Sequence, residues 1–406
     1  MAKEQTVQGG VGSRWLTSTV VAIALASLLS DACYESIIPL LPAFIASLGG
    51  GALAVGLTEG VADGLAAVFK LWGGRLADRT KRRRAWTAAG YLGVGLFMPA
   101  IALAKAVPAV VALRSAAWTF RGFRSPLRDT LLVDGTAPAY VNRAFGFQRA
   151  LDTVGAVIGP AAAMTMIAAH VPLRWAIAAG LIPGILAALM CAWVREQPRA
   201  VVKAGALHVE LAALPAAFKR YLLAAGVFGA GNFSATLLVL VAIIAWTPHV
   251  GAQRAVVYGA ALYLLHNALQ ASLSYPASIA SEKIGSGRLL LAAFALFAAV
   301  CTLLAFAWQS VVAVAVAFIM AAAATAIVEP MEATFATLLL PAQRRGTGFG
   351  ALAAINGLGD FASSAGVGLL WQTKGAALAF GSAAVVCAIG LLLILAAVRA
   401  AARPPP

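Results

Sequence analysis

Charge is scarce in this sequence. Of 406 residues only 11% are Asp, Glu, Lys or Arg, where a soluble domain carries about 25%. No long polar block interrupts the chain, which argues against a separate soluble domain. Cysteine is scarce too. Cys33, Cys191, Cys301 and Cys387 each lie inside an apolar run, where a thiol packs as a small hydrophobe rather than joining a disulfide or a metal cluster. No phosphate loop, His/Cys cluster or nucleophile–base pairing is visible, so no enzyme, metal or cofactor is expected. The first apolar run is not followed by a cleavage-site pattern, and no removable signal peptide is expected.

What the chain has in quantity is hydrophobic side chain, 62% of residues, with a mean hydropathy of +0.89. This is the composition of an all-α polytopic membrane protein. A spanning helix needs about 20 apolar residues. That ruler gives twelve spans, at 15–47, 52–76, 85–104, 108–134, 141–169, 173–194, 218–247, 255–280, 288–307, 310–340, 345–371 and 375–399. An even number places both termini on one side. Lys and Arg outside the spans or at their ends divide twenty to four in favour of that side, and the excess marks the cytoplasm. The net charge of +15 is therefore a topology signal and not a nucleic-acid patch. The expected setting is a bacterial-type cytoplasmic (inner) membrane, with both termini cytoplasmic.

The longest polar interruption, 195–217, reads as a cytoplasmic linker between residues 1–194 and 218–406. Its Ala206–Phe218 part reads as a short amphipathic helix on the inner face. The halves are related by a shift of 204 positions: Asp78 meets Glu282 and Arg84 meets Arg288, while independently Pro126 meets Pro330 and Phe145 meets Phe349. Two separate anchors returning one shift indicate a duplicated six-helix unit, and so two bundles related by a pseudo-twofold axis.

The most charged stretch is Trp72–Arg84, with Arg75, Arg79, Lys81, Arg82, Arg83 and Arg84 between two apolar runs. It reads as a small glycine-bearing loop at a membrane surface, in which Gly73 and Gly74 let two helix ends approach and Asp78 partners the arginines. Gly74-Arg75-Leu76-Ala77-Asp78-Arg79 resembles the loop after the second helix of the major facilitator superfamily, although Lys81 replaces a later glycine of that pattern. Arg195-Glu196-Gln197-Pro198-Arg199 resembles a second pattern of the superfamily, which implies that Glu196 and Arg199 pair with charges of the basic loop. The resemblance implies a latch on the cytoplasmic side formed by Gly73, Gly74, Arg75, Asp78, Arg79, Arg84, Asp129, Glu196 and Arg199.

Ionisable residues inside spans cost roughly 2.5–3.5 kcal/mol each at a helix centre and mark functional positions by default. Asp31 and Glu35 are one helical turn apart and share a face beside Tyr34. Two carboxylates that close in a low dielectric disfavour double ionisation, which is what a proton carrier requires. The alternative is a pair of salt-bridge acceptors holding helices together. Arg114, Arg121, Arg124 and Arg128 form one stripe on the fourth span and must face the pathway or the carboxylates. Arg121 and Arg124 lie deepest, whereas Arg128 and Asp129 lie near the inner surface, placed to brace the basic loop. Asp63 reads as inward-facing and Glu59 as snorkelling at the outer end. Arg149 and Asp152 add a polar face toward Asp31 and Arg121. In the second half, Glu329 reads as a cross-half contact and Asn356 is the repeat partner of Asp152. That half is otherwise expected to contribute shape and apolar contact, with His266 as a packing residue.

The fifth span carries Gly146, Gly155, Gly159 and Pro160 at a spacing that resembles the helix motif of proton-coupled exporters in the superfamily. The terminal glycine pair of that motif is replaced by Ala163 and Met164. A small-residue stripe lets a neighbouring helix pack closely, and ordinary helix packing uses the same residues. The resemblance implies an alternating-access transporter. The first expectation is proton-coupled export of small organic molecules, with Asp31, Glu35 and Asp63 as proton carriers. Tyr34, Arg121, Arg124, Arg149, Asp152, Glu329 and Asn356 would contact substrate or line the cavity. The alternatives are proton-coupled uptake of an organic anion, or transport of a lipid or amphiphile. The expected partners are a small-molecule substrate, protons and the bilayer, with the protein acting as a monomer.

Overall fold

The computed structural model describes residues 16–137, 141–197, 214–341 and 345–401. The helices in the first half are α1 (Ser18–Ile37), α2 (Leu41–Ser47), α3 (Ala52–Arg79), α4 (Arg83–Ala100), α5 (Val107–Asp134), α6 (Val141–Ala168), α7 (Leu173–Ala178) and α8 (Leu181–Met190). Those in the second half are α9 (Ala216–Gly229), α10 (Ala235–Val250), α11 (Ala252–Ile284), α12 (Ser286–Ala307), α13 (Val311–Leu339), α14 (Arg345–Lys374) and α15 (Ala376–Ala401). Among the described residues there is no strand.

Eight helical stretches are long and apolar enough to cross a membrane by length and composition. Of the other four expected spans, three fall on helices of more polar make-up and one is broken into shorter pieces. Helix α5 carries the four arginines, α11 and α14 are rich in Ser, Gln and Gly, and the seventh expected span is broken between α9 and α10. The break follows from its residues. Gly229, Gly231 and Asn232 are weak helix formers, and Ser234 restarts the helix as its N-cap, accepting from the Thr236 amide. Backbone groups freed inside a membrane need partners. Here the Ser363 hydroxyl donates to Asn232 O at 3.0 Å and the Ser234 amide donates to Ser364 Oγ at 3.1 Å.

Helix pairing repeats between the halves. In the first, α1 packs on α6 and α8, and α5 on α3 and α4; in the second, α9 packs on α14 and α15, and α13 on α11 and α12. Each pairing maps onto its counterpart under the 204-residue shift. The two seams between the halves, α3 with α14 and α6 with α11, exchange under the same shift. The α3–α14 seam is closed along its length, so tightly that a side chain at Gly56 would meet Ser364 O at 2.1 Å.

The basic loop is smaller than its sequence suggests. Gly73 through Arg79 form the last turns of α3 and Arg84 lies in the first turn of α4, leaving only Thr80–Arg82 between the helices. Gly73 meets the α5 backbone, where a Cβ would lie 2.1 Å from Phe123 O. Gly74 has nothing nearer than Pro126 Cβ at 4.0 Å. The expected close approach therefore belongs to Gly73 and not to Gly74. The side chains of Asp78 and Arg79 lie outside the described residues, as do Arg199 and most of the Ala206–Phe218 helix. Glu196 does reach the loop, but through backbone: its carboxylate accepts the amides of Arg83 at 2.7 Å and Arg84 at 3.3 Å, capping α4. Among the described side chains of the stretch, the buried arginine is Arg83. It donates to Ala77 O at 2.8 Å and pairs with Asp134 at 3.2 Å.

Candidate functional site

Between the halves lies a cavity with a central chamber of about 660 Å³, a recess of about 310 Å³ beside the α9–α10 break and a mouth of about 930 Å³. The mouth runs between α6 and α11 past Gly146, Arg149, Tyr275 and Ser278, at the end of the molecule that carries the basic loop. The opposite end is joined across the halves by Gln253, whose amide nitrogen reaches Ile167 O at 3.2 Å and His170 Nδ1 at 2.8 Å.

Asp31, Tyr34, Glu35, Arg121, Arg149 and Asp152 come together on the wall of the mouth. Glu35, on α1, accepts two hydrogen bonds from the second half: Tyr263 Oη donates to it at 2.8 Å and Asn267 Nδ2 at 3.2 Å. The Asn267 amide also reaches Ala156 O at 3.0 Å, tying α11 to α6 at the same level. Arg121 donates to Tyr34 Oη at 3.2 Å, with its guanidinium 5.0 Å from the ring centres of both Tyr34 and Trp118. Asp63 lines the chamber and accepts from Trp118 Nε1 at 2.8 Å. Asp152 accepts from Gln148, while its Oδ1 is buried and has no partner among the described residues.

The arginine stripe divides. Arg121 faces the chamber. Arg114 forms a two-point pair with Glu59, Nε to Oε1 at 3.2 Å and Nη2 to Oε2 at 2.7 Å, with both residues buried. Glu59 is therefore locked in the bundle interior instead of snorkelling outward. Arg124 bonds Ser30 at 2.8 Å and lies 3.9 Å over the Tyr91 ring, so that only its edge reaches the cavity wall. Arg128 pairs with Asp129 at 2.9 Å and bonds Ser27 at 3.4 Å, and among the described side chains it has no hydrogen bond or ion pair to the basic loop. Buried cations need such partners because an uncompensated charge in a low dielectric costs several kcal/mol.

Glu329 does make a cross-half contact, with Arg149 at 3.4 Å. Both side chains are well exposed, so the pair orients the mouth and adds little stability. Asn356 also lines the chamber and donates to Glu332. The second half supplies more than shape. Glu329, Glu332 and Asp360 line the chamber opposite Asp63 and Lys70. Glu332, Asp360 and Lys70 were readable as ionisable residues inside spans, whereas nothing in the sequence singles out Tyr263 as the partner of Glu35.

The fifth-span glycines pack α6 onto α1 at the acid pair. A side chain at Gly155 would meet Leu28 O at 2.3 Å and Asp31 Cβ at 2.9 Å, and one at Gly159 would meet Glu35 Cβ at 2.8 Å. Gly146 has nothing within 4 Å.

Comparison with known proteins accords with this architecture. Residues 23–267 and 256–406 match the family model described as Major Facilitator Superfamily. An uncharacterised MFS-type transporter of Methanocaldococcus jannaschii is 26% identical over 374 residues, covering 92% of this chain and 93% of that one. Among solved structures, a bacterial homologue of the human lysosomal transporter Spinster, inward-facing and unoccupied, superposes with a TM-score of 0.74 at 17% identity, covering 97% of this chain and 100% of the other. The nucleoside transporter NupG superposes with a TM-score of 0.73 at 12% identity, covering 96% and 100%.

Proposed function

We propose, because the chain belongs to the major facilitator superfamily, that this transporter is a proton-coupled exporter of small organic molecules. It works by alternating access between two six-helix bundles, residues 1–194 and 218–406, which together cross the membrane twelve times. The observation that carries the reading is Glu35. A titratable carboxylate on α1 holds two hydrogen bonds from α11, so adding or removing its proton changes a contact between the bundles. A protonated carboxyl accepts less strongly than a carboxylate, and hydrogen bonds to the charged form are roughly twice as strong as neutral ones.

Asp31 lies one turn away on the same cavity wall. In a low dielectric this acid pair holds a proton or a substrate contact more readily than both, which is the exclusion antiport requires. Asp63 is the third carrier, at the level of the chamber. Export over import draws on the fifth-span glycines, which seat α6 against the turns bearing Asp31 and Glu35. In this reading the basic end faces the cytoplasm, both termini are cytoplasmic, the membrane is a bacterial-type inner membrane and the monomer is the working unit.

A second reading, uptake of an organic anion, draws on Arg121, which bonds a hydroxyl in the cavity rather than a carboxylate. The deciding experiment is transport in proteoliposomes under an imposed pH gradient, with cationic, neutral and anionic solutes. Export by antiport requires solute movement opposite to the proton gradient. Movement indifferent to pH overturns the reading.

A further inference from the structure

The recess beside the α9–α10 break has an uneven charge inventory. Glu35, Asp63, Glu329 and Asp360 line it, and no Lys or Arg is among its lining residues. Glu35 and Asp63 accept hydrogen bonds only from neutral groups, Tyr263, Asn267 and Trp118. Asp360 has no ion-pair partner within 4.0 Å among the described residues. Glu329 is paired with Arg149 at 3.4 Å. Glu35, Asp63 and Asp360 have no ion-pair partner among the described residues and call for positive charge from elsewhere, because burying a carboxylate is costly unless it is paired or protonated.

Protons alone would meet that need, but the rest of the lining suits something larger. Phe233, Tyr263 and Phe297 supply aromatic walls, and ring faces attract an organic cation. A further observation is independent of the acids. His266 lines the recess, is 5% exposed and stacks parallel to Tyr263, and its Nδ1 has no hydrogen-bond partner. A buried ring nitrogen without a partner, on a residue that lines the recess, is an unmet acceptor or donor at its wall. The amino end of α10 also borders the recess, and a helix start ordinarily favours anions. Here two of its amides are already engaged, Thr236 by the Ser234 hydroxyl and Ser234 by Ser364.

We infer that this recess binds a protonated organic amine. Its N–H meets the carboxylates and the free nitrogen of His266, and its apolar body lies against Phe233 and Phe297. The inference rests on the transporter reading and adds to it the substrate class and the place of the charged head.

The test is equilibrium binding of radiolabelled benzyldimethylammonium to the full-length protein in lipid nanodiscs, with no gradient. The competitors are isobutylbenzene, its neutral isostere, and phenylacetate, an anion of similar size. The amine binds saturably, and both competitors displace it at least tenfold less well than unlabelled amine. Asp360→Asn weakens binding tenfold or more and Asp360→Glu restores it to within threefold. Phe297→Leu leaves every charge in place and guards against misfolding of the Asp360 variants; it weakens binding by about threefold through the lost cation–π contact. Absence of saturable amine binding, equal competition by isobutylbenzene, or unchanged affinity in both Asp360→Asn and Phe297→Leu overturns the inference. Binding without gradients separates the two readings. Intact amine binding with pH-indifferent transport removes the proton coupling alone, and pH-driven movement of another solute without amine binding removes the recess alone.

Discussion

Tyr263 donates a 2.8 Å hydrogen bond to Glu35, joining a residue of the second half to an acid of the first. The bond is short and is made to a titratable carboxyl group that lines the cavity. That makes it a contact whose strength depends on a proton. Glu35→Gln keeps the size and the acceptor oxygen but removes the titration. The expected outcome is a loss of pH-driven solute accumulation by tenfold or more, with solute exchange in the absence of a gradient retained to within threefold. Tyr263→Phe deletes the donor and leaves Glu35 titratable. It should slow transport while keeping its pH dependence. Proteoliposome flux measured with and without a gradient separates the two. Coupling that survives Glu35→Gln would move the proton site elsewhere.

Arg121 distinguishes the solute classes. Its guanidinium lies between Tyr34 and Trp118 and donates to the Tyr34 hydroxyl, beside Asp31 on the wall of the mouth. If the solute is a cation or is neutral, Arg121→Gln leaves binding within about threefold and abolishes coupling, because the fixed charge beside the acids is gone. If the solute is an anion, the same change removes a charge-assisted hydrogen bond worth about 1.5–3 kcal/mol, roughly a tenfold to hundredfold loss of affinity. Binding isotherms of the variant, read beside its flux, decide between them.

The Glu59–Arg114 pair is structural. Both groups are buried, Arg114 also lies 3.1 Å from the ring centre of Trp118, and neither is among the residues that line the chamber. Removing one partner leaves a buried charge alone, which costs about 3–5 kcal/mol. Glu59→Gln and Arg114→Met should each lower the melting temperature of the purified protein sharply. The double variant Glu59→Leu with Arg114→Met should recover much of the loss, since an apolar pair of similar volume is often neutral. A double variant no better than the singles would give the pair a role beyond packing.

These contrasts mark what could be read from residue order and what could not. The spacing of apolar runs placed the helices within a few residues, and the 204-residue shift returned a duplicated unit whose helix pairings do repeat between the halves, because both are properties of one-dimensional pattern. The break at Ala230–Ser234 was hidden, since two glycines and an asparagine in an apolar run are also common inside intact membrane helices. The direction of each arginine was not legible either. A helical stripe tells which residues share a face, but Arg114 and Arg124 are turned aside by Glu59, Ser30 and Tyr91, partners on other helices that only the packing brings near. The acids of the second half were visible as sequence. Their place in the chamber follows from the packing that sets residues of α13 and α14 around the same cavity as Asp63 and Lys70 of α3.

At the basic end, the contrast between Arg83 and Arg84 is a direct test of the latch. Arg83 is 1% exposed and holds Ala77 O and Asp134, whereas Arg84 is exposed and engages Glu196 through its backbone amide alone. Arg83→Ala should destabilise the protein by about 1.5–3 kcal/mol and slow transport. Arg84→Ala should leave the melting temperature within a degree or so, because the amide it offers to Glu196 is unchanged. Glu196→Ala removes the cap from α4 and costs about 1 kcal/mol. Thermal melts of the three variants in one detergent give the order. An Arg84→Ala variant as damaged as Arg83→Ala would return the latch to the exposed charges of the basic stretch.

The fifth-span glycines allow a test that separates packing from resemblance. Gly155 and Gly159 meet α1 at distances no side chain tolerates, at Leu28 O and Glu35 Cβ, whereas Gly146 faces the open mouth. If the motif acts through the seating of α6 on α1, its positions are unequal. Gly155→Val must push α6 away from the backbone of α1, moving Asp31 and Glu35 apart from Asp152 and Asn267. Overpacking of a tight interface costs roughly 1–3 kcal/mol, and pH-driven flux should fall at least tenfold because the acids lose their register. Gly159→Ala is the milder form of the same lesion and should give an intermediate loss. Gly146→Ala adds a methyl group to open space and should leave flux within twofold. A Gly146→Ala variant as impaired as Gly155→Val would mean that the glycine at the mouth acts in another conformation of the transport cycle, where the two bundles close upon it.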